Sequence, residues 1–321
     1  MIRSFSTFLE NQRGAFFIMK KLLFPVLLFF TIIILAACGS DDSADNDGGG
    51  DDAADDAASG KLAELQDKGV VKIGFANEEP YGHENDEGEL TGASVDTAKA
   101  VFAELGIDEV EGHLADYDQL VPGLGAGKFD AITSGMAITP ERCENAAFAE
   151  PDMKYGEGLI VKKGNPLDLQ SYTDIADNSD ATISIMSGAT ENDFVTSEGV
   201  DEDQIQSAPD IPATIAAVES GRADATTGTE MTLIMALESA DSDELEFVED
   251  FEQPDIEGVP SYGAVAFHPD NDELLDAFNE KLAELKESGK IAEILEDNGF
   301  DDERNYPEDD VTAEMVCKGE E

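Results

Sequence analysis

Phe129-Asp130-Ala131-Ile132-Thr133-Ser134-Gly135-Met136-Ala137-Ile138-Thr139-Pro140-Glu141-Arg142-Cys143 is the stretch on which the reading of the chain turns. Residues 129–133 read as a strand. Pro140 opens a short helix, because its fixed φ and missing N–H suit a first helical turn. Arg142 therefore sits one turn inside a helix at the carboxyl end of a strand, where open α/β sheets bind ligands. Its planar guanidinium offers a fork of N–H donors to a carboxylate. A surface arginine on a surface helix is the competing reading.

The same alternation runs outward on both sides. Residues 70–76 form an apolar strand; Val95, Ala98, Val101, Phe102 and Leu105 recur at helical spacing over 93–105; 110–115 reads as a strand and 117–128 as a helix. This is a βαβαβ unit with a parallel sheet. The pattern restarts with strand 181–187, helix 191–197, strand 204–208, helix 211–220, strand 223–227 and helix 229–239. Glycine-containing apolar strands at 155–162 and 261–267 lead out of one unit and into the other. Two crossings imply a discontinuous first domain: 61–160 with 262–321 in one lobe, 161–261 in the other. A helical region over 272–297 closes the chain with an apolar face that includes Leu274, Phe278, Leu282, Ile291 and Leu295.

The 321 residues are 41% hydrophobic, enough for real cores, and carry a net charge of −54. That charge excludes nucleic acid as a partner, since phosphate would be repelled. Lys20 and Lys21 precede an apolar run, 22–35, that ends in Leu35-Ala36-Ala37-Cys38; it resembles a secretory signal with a bacterial lipobox, which makes Cys38 the lipid-bearing residue. The run is shorter than the roughly 20 residues that span a bilayer, and a start at Met19 would put the basic residues at the head of the signal region 1–38. Residues 39–60 contain eight Asp and no apolar residue larger than Ala, the composition of a flexible tether. The leader carries +3 and the tether −8, which leaves −49 on residues 61–321. Such an acidic surface suits a saline habitat, where screening limits self-repulsion; ordinary solubility charge is the alternative.

From about Lys61 to Lys318 the chain resembles the family 3 extracellular solute-binding proteins of ABC importers, and within them the ectoine/hydroxyectoine receptors. The residues that carry the resemblance are Gly74-Phe75-Ala76-Asn77-Glu78-Glu79-Pro80-Tyr81, Val121-Pro122-Gly123-Leu124, Ile138-Thr139-Pro140-Glu141-Arg142-Cys143, Val161-Lys162-Lys163-Gly164-Asn165-Pro166 and Cys317. It implies an α/β, two-lobed periplasmic-binding-protein-like clamp of type II with two hinge-strand crossings. It also implies a monomer held outside the membrane by its lipid anchor and delivering solute to an ABC permease, with no cofactor and no metal. With Cys38 lipidated, Cys143 and Cys317 remain as a disulfide pair in an oxidising compartment, or as two free buried thiols.

The implied ligand is a small zwitterion. Arg142 and the Thr190 hydroxyl meet its carboxylate, Glu78 its cation, and Tyr81 and Tyr117 the faces of that cation; either tyrosine also reads as an ordinary core or rim aromatic. The ectoine receptors place a third aromatic where this chain has Ala137, and Phe194 is a candidate to supply the missing ring. Thr229 stands where family members that hold an α-ammonium usually have an aspartate, which argues against plain amino acids; Glu230, one residue on, is turned elsewhere by helix geometry. Polar amino acids are the second ligand class. An enzyme is the remote alternative: the fold hosts a few dehydratases acting on cyclohexadienyl acids, which require a proton donor such as Glu78. His83, His113 and His268 are too far apart for a local zinc motif, and no nucleophile elbow or phosphate loop occurs.

Overall fold

The computed structural model describes residues 60–320, without the side chains of Asp302 and Glu303; the expected signal region 1–38 with Cys38, and the tether up to residue 59, lie outside the described residues. Two five-stranded sheets organise the chain. The first has the order Glu109–Leu114, Val70–Phe75, Ala131–Ile132, Ala266–Phe267, Ala147–Phe148. Its first three strands are parallel, and Ala266–Phe267 runs antiparallel to both neighbours. The second has the order Ile205–Ala208, Ile183–Met186, Ala225–Thr229, Glu157–Lys162, Leu245–Phe247, again with three parallel strands followed by an antiparallel one.

Parallel neighbours need crossover helices, and the apolar spacing supplies them. Helix Ala93–Glu104 turns Val95, Ala98, Val101 and Phe102 into the first core, where Phe102 lies edge-on to Phe278. Strand Ile183–Met186 is buried at every residue, as a strand covered on both faces must be. The edge strand Glu109–Leu114 is almost wholly exposed, and its glutamates discourage pairing with another chain.

Three expected elements differ. The helix read over 117–128 is a 3-10 turn at Tyr117–Gln119 followed by Leu120–Gly125, because Gly123, Gly125 and Gly127 weaken helix propagation. The strand read over 129–133 contributes only Ala131–Ile132 to the sheet. The closing helical region divides into Asp272–Glu287 and Lys290–Asp297, separated at Gly289, whose φ of +81° is left-handed.

The chain passes between the sheets twice. Met153–Tyr155 leads out, and Ser261–Gly263 returns beside it in antiparallel register, Tyr262 opposite Lys154. Strand Glu157–Lys162, which spans the 160–161 position expected to separate the lobes, pairs entirely within the second sheet. Just before the hinge, Asp152 is 1% exposed with neither carboxyl oxygen partnered. Burial pushes its pKa to about 7, against the opposing pull of Lys286.

Beyond Asp297 the chain folds back over both hinge strands. Asn305 Nδ2 donates to the Lys154 carbonyl at 3.0 Å, and Glu308 accepts from Tyr262 Oη at 3.0 Å while pairing with Lys154. Helix Ala313–Cys317, capped by Thr312, carries the tail to the Cys143–Cys317 disulfide implied above, with Cα atoms 5.8 Å apart. A sequence separation of 174 makes this a long closed loop, for which chain entropy gives about 5 kcal/mol as an upper bound. A Cys143→Ser/Cys317→Ser variant should therefore melt roughly 10 °C lower, and reductant should bring the wild type down towards it. Thermal unfolding followed by circular dichroism checks this; an unchanged midpoint would show that the tail is held by its other contacts.

Candidate functional site

Thr139 Oγ1 accepts the Arg142 N–H at 3.2 Å and caps helix Pro140–Cys143, which fixes the direction of the arginine. The guanidinium donates through Nη1 to the Ala137 carbonyl at 2.8 Å and through Nη2 to the Gly188 carbonyl at 2.9 Å. It lies 5.6 Å from the centroid of the Tyr117 ring, in cation–π range. Gly188 follows strand Ile183–Met186 of the second sheet, so this contact joins the lobes.

Two further hydrogen bonds cross the same seam. Tyr81 Oη donates to Thr229 Oγ1 at 2.9 Å, and Thr232 Oγ1 donates to Glu78 Oε1 at 2.8 Å. Thr229 also caps helix Glu230–Ala240 by accepting from the Thr232 N–H. Tyr81 is 1% exposed and meets Tyr155 edge-on at 5.3 Å. Tyr155 Oη in turn donates to the Gly135 carbonyl at 2.6 Å. Gly135 has φ +57°, and a Cβ there would come within 2.2 Å of Tyr81 Cδ1. Only glycine lets the backbone pass under that ring.

These residues enclose a cavity of about 20 Å³ lined by Glu78, Tyr81, Tyr117, Ala137, Tyr155, Thr190, Glu191 and Thr229. That is room for about one water, so a solute enters only when the lobes part. The seam continues on either side. A 600 Å³ cleft adjoins it past Tyr117 and Thr190 and includes Arg142; a 470 Å³ groove begins at Glu78 and runs between His83 and helix Ile211–Glu219.

Six of the residues expected from sequence thus converge, with Arg142 one step away and both forks of its guanidinium on backbone carbonyls. The Thr190 hydroxyl makes no capping bond to its helix. Phe194 is elsewhere: it belongs to the core of the second lobe and faces Gly258, because its turn of helix Glu191–Ser197 looks inward. Tyr155 is the third ring at the cavity instead. Glu230 turns away to Arg304 at 3.3 Å. Sequence reasoning missed Tyr155, Glu157 and Glu191; the available signal was a carboxylate at the head of an otherwise apolar strand and another directly after Thr190.

Burial dominates the electrostatics. It pushes the Glu78 carboxyl to about 7, against the Thr232 hydrogen bond. Glu157 and Glu191, 1% and 5% exposed, are raised for the same reason, and Tyr117 rises to about 12 by burial despite Arg142.

Residues 71–299 match the model of the bacterial extracellular solute-binding proteins, family 3. The chain belongs to that family. Over 265 residues this family 3 receptor is 34% identical to a probable amino-acid ABC transporter periplasmic-binding protein of Sinorhizobium fredii, covering 81% of this chain and 87% of that one. It is 30% identical to the arginine-binding periplasmic protein of Mannheimia haemolytica, over 73% of this chain and 91% of the other. Among solved structures, EhuB in complex with hydroxyectoine aligns with a TM-score of 0.74 and 35% identity, covering 80% of this chain and 97% of that one. The two-lobed type II clamp is shared with these receptors. The receptor is a solute-binding protein of an ABC importer, and no described helix is long and apolar enough to cross a membrane.

Two predictions follow from the seam. Glu78 has a folded-state pKa above its unfolded value near 4.5, so its contribution to the ligand-free closed form is present below that value and lost as pH rises through about 7. The loss is at most on the order of 3 kcal/mol. Glu78→Gln should accordingly gain thermal stability relative to wild type between pH 5 and pH 8, read as a melting-point difference at each pH; a flat difference would mean that the carboxyl is already ionised. Gly135→Ala should displace the Tyr81 ring and lower ligand affinity by at least about tenfold, whereas Gly125→Ala, with open space around its Cβ, should not. Calorimetric titration of both variants distinguishes the two sites.

Proposed function

We propose that the receptor captures a small zwitterion with a delocalised cation, ectoine or hydroxyectoine first, and closes its lobes over it. The observation that carries this reading is the set of buried carboxylates and tyrosine rings gathered against a single guanidinium at the seam. A cation spread over a flat ring suits Glu78 together with the faces of Tyr81 and Tyr117, and Tyr155 offers the ring that Ala137 lacks. The ligand carboxylate would take the Gly188 carbonyl's place on Arg142 and reach the Thr190 hydroxyl. Both groups face both lobes, so differential affinity for the closed form drives closure about the paired strands Met153–Tyr155 and Ser261–Gly263. The moving lobes are read as the segments before Glu157 and after Gly263 against the segment between them.

A cationic amino acid is the second reading, favoured by the same carboxylates and by the arginine-binding relative. Titrating ectoine, hydroxyectoine, arginine and glutamine at matched high salt decides between them. The expected result is tighter binding of the two ectoines and a loss of at least about tenfold on Arg142→Ala; an amino acid binding tenfold more tightly overturns the ectoine assignment. Turnover of cyclohexadienyl acids would overturn the reading as a non-enzymatic receptor.

We also propose a monomer anchored by lipid on Cys38 and presenting its cleft to an ABC permease. Cys38→Ala should release the protein into the medium; retention of that variant in the membrane fraction would contradict the anchor.

A further inference from the structure

We propose that the groove beside Glu78 is a second binding site, separate from the central cavity, for a linear aliphatic diamine whose ammonium ends meet its carboxylates and whose methylene body lies along its apolar wall. The site does not depend on which solute the central cavity takes.

One wall is the loop after strand Val70–Phe75. Glu78 and Gly82 exchange two backbone hydrogen bonds at 3.0 Å, and Asn77 Oδ1 accepts the Glu84 N–H at 3.0 Å. A tight loop thus presents Glu78, Glu79, His83 and Glu84 together. The facing wall comes from helices of the second sheet. Ile211, Ile215, Ala216 and Glu219 are spaced to share one face of helix Ile211–Glu219, and Thr232, Ala236 and Ala240 share one face of helix Glu230–Ala240. The three alanines are too short to fill the space between the walls. The groove of about 470 Å³ lies within the usual size of small-molecule sites.

The walls supply negative charge and no lysine or arginine to balance it. Glu78, Glu79, Glu84 and Glu219 line the groove, and among the described residues none of them pairs with a lysine or arginine. Glu79 has His83 Nε2 at 3.8 Å, and Glu219 accepts from Ser242 Oγ at 2.9 Å. Glu78 is the innermost of the four. It is 8% exposed, Thr232 fills its Oε1, and its Oε2 takes part in no hydrogen bond. A buried carboxyl oxygen without a partner is costly, and an ammonium in the groove supplies one.

The lining also selects the kind of cation. No tyrosine or phenylalanine ring faces the groove, so the cation–π surfaces that hold a quaternary ammonium are missing. Carboxylates instead suit a primary ammonium with its three N–H donors. Ile211, Ile215 and the alanines offer hydrocarbon contact to a methylene chain, which gains from each CH₂ taken out of water. Charge at both ends of that chain is matched by Glu78 inside and by the exposed Glu84 and Glu219, from opposite walls, at the rim.

Calorimetric titration of the full chain with cadaverine, trimethylenediamine and tetramethylammonium tests the site. Cadaverine should saturate a single site and bind at least about fivefold more tightly than trimethylenediamine, which carries the same charges on two fewer methylenes. Tetramethylammonium should bind more weakly than either diamine. Ala216→Lys, at an exposed helix position, brings the protein's own ammonium into the groove and should weaken cadaverine by at least about tenfold. Glu84→Gln/Glu219→Gln should weaken it as well, whereas Glu109→Gln on the exposed edge strand should not. Equal binding of the two diamines, many weak sites in place of one, or an equal loss in Glu109→Gln would mean counterions on an acidic surface and would overturn the inference. Unchanged cadaverine binding in Ala216→Lys would overturn it too, by placing the diamine elsewhere. Failure of ectoine and of every amino acid to bind would count against the reading of the central cavity and leave this site standing.

Discussion

Three carboxylates held out of water beside one half-buried guanidinium at the junction of two sheets set the terms for the groups around them. Glu78, Glu157 and Glu191 are each less than a tenth exposed, and Coulomb energies between unit charges a few ångströms apart rise several-fold once water is excluded. The closed arrangement is therefore tolerable only with protons on some of these groups or with an added cation between them. The neighbours fit that constraint. Thr232 donates to Glu78, the tyrosines present neutral hydroxyls, and Arg142 balances part of the charge while binding backbone carbonyls from both sides.

The mechanical frame follows from where the chain crosses. Met153–Tyr155 and Ser261–Gly263 lie side by side and hydrogen-bond to each other, which holds the two passages in register. The C-terminal tail grips that ribbon from outside through Asn305 and Glu308 and ends on the disulfide next to Arg142. Hinge, tail and binding arginine are thus one connected assembly. Opening must break the Arg142–Gly188, Tyr81–Thr229 and Thr232–Glu78 contacts together; a neutral hydrogen bond exchanged for water is worth about 1 kcal/mol and one from the charged guanidinium about 1.5–3 kcal/mol. Modest seam energy lets a ligand's binding decide between open and closed forms.

Much of the architecture was readable from local chemistry. The apolar spacing of Val95, Ala98, Val101 and Phe102 names a buried helix face because side chains three and four apart share one side of a helix, and the structure buries those residues. Pro140 starts a helix for a reason internal to its own ring, and it does so with Thr139 as cap. Glycine density at 123–127 was the signal that the preceding helix would be short, and the apolar pattern masked it. Gly289, likewise, divides a helical region whose two halves share one apolar face.

The sequence by itself determined the two α/β units, the double crossing and the acidic character of the body, since each follows from periodicity or composition along short stretches. It also brought Glu78, Tyr81, Tyr117, Arg142 and Thr190 into one hypothesis through their resemblance to a known family. Only the tertiary structure decided that Tyr155 rather than Phe194 borders the cavity, that Glu191 faces it, and that Arg142 binds Gly188. The deciding contacts join residues 148 and 154 positions apart, as for Tyr81 with Thr229 and Glu78 with Thr232. A period of 2 or 3.6 shows which side of a strand or helix is apolar, but where that side comes to rest is set by packing against elements far away in the chain.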